Sequence, residues 1–64
     1  MKMVWILIIG KNPVRFFEGE GRWSTNEDKA KVYTSKALAR RAAYDMQAHH
    51  QSPIVVEGVY RRAA

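Results

Sequence analysis

Glu18 and Glu20 stand two residues apart, which puts both carboxylates on one face of an extended chain. Two carboxylates so placed are the apparatus of general acid–base chemistry. That chemistry needs a cleft to set the two environments apart. Around this pair the sequence offers only charged residues at a strand end. His49 and His50 suggest a metal, but adjacent residues on a helix project about 100° apart and cannot close on one ion. No Cys and no third ligand complete a zinc set. The pair suits a helix C-terminus instead, where a partly charged imidazole is favoured. The hydroxyls of Ser24, Thr25, Thr34, Ser35 and Ser52 follow no Ser/His/Asp order. Gly19-Glu20-Gly21 lacks the third Gly and the Lys-Ser/Thr of a phosphate loop. The sequence therefore predicts a non-enzymatic protein with no cofactor and no metal site.

Charge is the stronger signal. The net formal charge is +5, and its excess is confined to one half. Residues 1–28 hold four basic and four acidic side chains, whereas residues 29–64 hold seven basic and two acidic. A basic half attracts nucleic acid, an anionic surface or an acidic protein, and it also serves plain solubility. Lys29, Lys31, Lys36, Arg40, Arg41, Arg61 and Arg62 can neutralise phosphates, and Tyr33, Tyr44 and Tyr60 can stack on bases. No helix-turn-helix, zinc-finger or RNP signature accompanies them.

The elements that must position these groups are few. Sixty-four residues make one domain, 1–64, and a chain so short buries only about 60% of its unfolded surface. Without cysteines, disulfides cannot help, which fits a reducing cytoplasm and makes a partner or self-association more valuable. The apolar run over residues 3–9 is too short to span a bilayer, and no small-residue cleavage site follows it, so it reads as a buried strand and no membrane partner is expected. Gly10-Lys11-Asn12-Pro13 is a turn, and residues 14–18 form a second strand, hairpinned to the first. Residues 22–28 read as an ordered loop anchored by Trp23, and 29–33 as a short extended piece. Thr34 or Ser35 caps a helix of good formers that runs to about His49. Its apolar arc is Leu38, Ala39, Ala42, Ala43 and Met46, small enough to lie close on a sheet; Lys36, Arg40, Tyr44 and Gln47 fall on the opposite arc. Residues 54–60 are a last strand.

The predicted fold is α+β, β-β-α-β, a three-stranded antiparallel sheet with the first strand central and one helix packed on one face. This leaves a mismatch. The first strand is apolar on both sides, with Val4, Ile6 and Ile8 on one and Met3, Trp5, Leu7 and Ile9 on the other. One helix covers one side. Either the loop around Trp23 shelters the second, or an apolar patch faces outward and marks an interface. The expected patch is Trp5, Leu7, Phe17 and Val55, taking a protein partner or a second copy as a homodimer.

Trp23, the run Asp28-Lys29-Ala30-Lys31-Val32-Tyr33-Thr34-Ser35 and the alanines at 39, 42 and 43 together form a pattern that resembles small proteins encoded by phages and prophages. The resemblance spans roughly the whole chain and implies a β-β-α-β fold. It also implies stoichiometric binding to a host macromolecule, in the manner of anti-CRISPR proteins and RNA-polymerase inhibitors. A second similarity is to the arm-type DNA-binding domains of phage integrases, which place an alanine-rich helix after a Phe/Tyr-x-Thr/Ser step. Those domains run three strands before the helix, whereas here one strand is expected after it. The reading is a cytoplasmic binding protein of phage or mobile-element type, an inhibitor of a host partner. The alternative is a nucleic-acid-binding module using the basic helix and C-terminal half.

Overall fold

The computed structural model describes residues 2–61. Along the chain come β1 (Lys2–Ile9), β2 (Arg15–Gly19), β3 (Arg22–Ser24), a 3-10 turn (Glu27–Lys29), α1 (Lys36–Gln47) and β4 (Ile54–Arg61). The class is α+β, as expected, but the antiparallel sheet has four strands in the order β3-β2-β1-β4. The additional strand is β3, within the stretch read as a loop. The turn before it has two central residues at positive φ, Glu20 (54°) and Gly21 (74°), the combination that lets a tight hairpin follow sheet twist. Three strands thus precede the helix, and one follows it.

β1 is central, as its two apolar faces require. It pairs along its whole length with β4, from Lys2↔Arg61 to Ile9↔Ile54. With β2 it pairs only at Ile8↔Phe16 and Ile9↔Arg15. Beyond that point the two strands part, and the chain ahead of the helix fills the gap. Lys31 N–H donates to the Phe17 carbonyl at 2.7 Å, and Tyr33 exchanges both backbone bonds with Trp5 at 2.8 and 2.9 Å. The short extended piece read before the helix is thus a wedge in the sheet.

Ser35 begins α1, its Oγ accepting from the Leu38 N–H at 3.3 Å. The helix stops at Gln47, two residues short of expectation, because the Gln47 side chain staples the connection that follows. Its Nε2 donates to the carbonyls of His50 (3.2 Å) and Ser52 (2.8 Å), and its Oε1 accepts from the Ile54 N–H at 2.7 Å. Ala39 and Ala43 lie buried against Leu7 and Phe17, with Trp5, Trp23, Tyr33, Ala42, Met46, Ile54 and Val56 packed around them. Leu38 is the exception to the expected arc, at 56% exposure. Small alanines bring the helix close to the sheet and leave Leu38 at its flank.

The second face is sheltered too. To travel from β3, outside β2, to its bridge with Trp5, the chain must cross the sheet, and the 3-10 turn packs on β2. Arg61, opposite Lys2 on the side of Val4 and Ile6, donates from Nη2 to the Glu27 carbonyl at 3.1 Å. That bond fixes the crossing over the face opposite the helix. Ile6 is fully buried there, and Val4 and Phe16 nearly so. The expected association patch is corrected accordingly. Leu7 and Phe17 are enclosed by α1 and Trp5 is half-buried beside them, while Val55 lies opposite Ile8 on the other face and is 55% exposed. These four residues share no surface. No helix of the described residues is long and apolar enough to cross a membrane.

Candidate functional site

The unspent surface of this fold is an edge. β4 has β1 on one side and no strand on the other among the described residues. The direction of each β4 peptide follows from Trp5. Both backbone groups of Trp5 bond to Tyr33, on the side away from β4. Its partner Gly58 is therefore a non-hydrogen-bonded pair, with N–H and C=O pointing outward. By alternation Ile54, Val56 and Tyr60 also point outward, whereas Val55, Glu57, Val59 and Arg61 bond inward to β1. The Ile54 N–H is met by Gln47 Oε1. Among the described residues, no bond reaches the N–H groups of Val56, Gly58 or Tyr60.

Proteins usually blunt such an edge with Pro, a bulge or a covering loop. β4 has no Pro and keeps unbroken register with β1 over all eight residues. Gly58 leaves room at its centre: a Cβ there would stand 3.0 Å from Met3 Sδ and 3.2 Å from Trp5 Nε1, so the missing side chain lets those two groups lie over the strand.

Beside this edge runs the helix flank predicted as a basic stripe. Arg40, Ala43, Tyr44 and Gln47 from α1, with Ile54 and Val56 from β4, line an open groove of about 300 Å³. Its floor is apolar, its rim carries the Arg40 guanidinium and the Tyr44 phenol, and no acidic residue lines it. Tyr44 is 83% exposed. Lys36 precedes Arg40 by one turn on the same stripe. The fold thus brings Arg40 and Tyr44 to the β4 edge, with Lys36 one turn further along α1.

The other predicted basic residues do not join them. Arg41 is exposed and lies outside the groove. Arg61 is half-buried and committed to the Glu27 carbonyl, with Asp28 Oδ1 3.8 Å from its Nη1. Arg62 lies outside the described residues.

Of the chemistry candidates, Glu18 and Glu20 line one open depression together with Arg22 and Lys31, whereas the two histidines lie elsewhere. Glu20 sits in the β2–β3 turn and pairs with Arg22 at 3.2 Å, so it does not share a strand face with Glu18. His50 packs edge-on to Trp23, whose ring also lies 5.2 Å from Phe17, while His49 is exposed. No three metal-binding side chains cluster among the described residues. One titration is perturbed: burial pushes the Tyr33 phenol above its ordinary value near 10.

Sequence reasoning missed two contributors. Helical periodicity puts Gln47 on the outward arc, whereas the structure makes it a staple; the only signal for that role is a polar residue at the helix's last position. The outward phase of β4 was not readable at all, since it depends on a Trp5–Tyr33 bridge between residues far apart in the chain. Compared with protein-family models, curated proteins and solved structures, the chain matches none.

Proposed function

We propose that this chain is a non-enzymatic binding module of phage or mobile-element type that holds a host protein stoichiometrically at the margin formed by β4 and the flank of α1. The observation that carries the reading is the free edge. Three outward peptide groups, at Val56, Gly58 and Tyr60, stand beside a groove with an apolar floor and a cationic rim. Strand addition to such an edge draws affinity from backbone bonds and specificity from the flanking side chains. The apolar sheet face first expected to bind is occupied by the chain's own helix and crossing segment, so recognition moves from face to edge.

A photo-crosslinking side chain at Tyr44 tests this in the cell, with one at Lys11 on the distant turn as control. The module reading expects a discrete 1:1 protein adduct from position 44 and none from position 11. Adducts from both positions alike, or from neither, refute it. The nucleic-acid reading makes a different forecast: a salt-sensitive complex lost on combined Arg40→Ala and Arg41→Ala, with no protein adduct.

A further inference from the structure

We propose that the β4 margin takes one kind of occupant: an extended, acidic segment of another protein, added as a fifth strand with acidic side chains at every second position. This rests on the module reading above and names its partner chemistry. The backbone part follows from the outward groups of Val56, Gly58 and Tyr60, which offer a strand three donors and three acceptors. The side-chain part follows from the two sides of the margin. Residues of the added strand that face the helix lie along the groove and meet Arg40, Tyr44 and, one turn away, Lys36. Those on the opposite side meet Val55, which is exposed, and Glu57, which repels acid. The alternation is therefore acidic toward α1 and apolar away from it.

A second copy is the competing occupant, and charge disfavours it. Two β4 strands paired about a twofold axis keep both helices on one side of the joined sheet. Both Lys36–Arg40 flanks then share that side, in a chain already at +5. An acidic strand meets attraction where a second copy meets repulsion.

The test is selection of a displayed library of random ten-residue peptides on the whole immobilised chain at low salt. Enriched peptides should carry Asp or Glu at alternate positions with β-branched residues between. Synthetic versions should protect the amides of Val56, Gly58 and Tyr60 from hydrogen exchange. Arg40→Glu should weaken them by about tenfold, since reversal removes an attraction and adds a repulsion. N-methylation at alternate residues should abolish binding while leaving the charges in place.

Enrichment of neutral or basic peptides, no enrichment, or binding that survives N-methylation overturns the proposal. So does a free chain that sediments as a dimer with the same three amides protected, or a nucleic acid that competes for the groove. If acidic peptides fail while the Tyr44 adduct persists, the partner chemistry is wrong and the margin stands. If both fail, both readings fall.

Discussion

Proline scanning along β4 tests the deduced phase of the strand directly. The perturbation is Val56→Pro, Glu57→Pro, Val59→Pro and Tyr60→Pro, each compared with alanine at the same position to remove the side-chain effect. Val56 and Tyr60 point their N–H groups outward, so proline there removes no ladder bond, which is why edge strands tolerate it. Glu57 and Val59 donate inward, toward Ile6 and Val4. Proline at either leaves a β1 carbonyl unpaired inside the sheet, about 1–3 kcal/mol, and drives its ring into the neighbouring strand. A total near 3 kcal/mol is the expectation at those two positions, against under about 1 kcal/mol at Val56 and Tyr60. Typical stability for a chain of this length is roughly 3–10 kcal/mol. The inward prolines should therefore lower the midpoint by about 12 °C or more at 4–8 °C per kcal/mol, and the weaker case should unfold the protein. Thermal unfolding followed by far-ultraviolet circular dichroism reads the difference. The expected signature is alternation, tolerated, harmful, harmful, tolerated, which fraying of the strand end cannot produce. Equal losses at all four positions, or the opposite alternation, would refute the Trp5–Tyr33 argument that sets the phase.

Three further perturbations probe what holds the fold together. Ala39→Leu forces extra carbons into a fully enclosed contact and should cost about 1–3 kcal/mol by denaturant unfolding, whereas Ala37→Leu on the exposed side should be near neutral. Arg61→Ala frees the crossing segment and should cost about 1 kcal/mol, with faster amide exchange at Ala30 and Lys31; the exposed Asp28 pair adds little to this. Tyr33 is neutral in both states below its unfolded value near 10, and its folded value lies higher because of burial. Stability is therefore whole below pH 10 and falls as pH rises from there through the folded value; Tyr33→Phe should flatten that part of the curve in urea midpoints measured across it.

Much of this architecture is legible in the residues themselves. The β-branched run of residues 3–9, apolar on both sides, announces a central strand, and β1 is one. Ser35 followed by helix formers announces the start of α1, and the alanine spacing announces its buried side. What was not legible is pairing between distant segments. β3 is three residues long with polar neighbours, too short to show a period. Alternation shows that Trp5 and Leu7 share a side, but not which side α1 will take, nor that Val55 belongs opposite Ile8. Those facts depend on register, and register is set by hydrogen bonds between strands dozens of residues apart. The stripe of Lys36, Arg40 and Tyr44 was legible as a stripe; its place beside a bare strand edge was not.

The crossing segment explains how β4 comes to present an open edge among the described residues. One helix serves a sheet that is apolar on two sides, and the crossing segment around the 3-10 turn Glu27–Lys29 is spent on the second side. Among the described residues, no strand covers the outer side of β4. A bare, regular edge ordinarily invites pairing with identical copies and then aggregation. Here the remedy is electrostatic. Arg40 lines the groove beside the edge, Lys36 follows one turn away, and no acidic residue lines that groove, so two copies paired there would bring like charges together on the helix side, within the roughly 10 Å over which charge acts at moderate salt. Repulsion of like copies and attraction of an acidic strand are two consequences of one arrangement. Under the proposal, specificity at this margin needs no further device: the charge that would keep copies apart also selects an acidic partner, and the backbone groups of Val56, Gly58 and Tyr60 hold it in register.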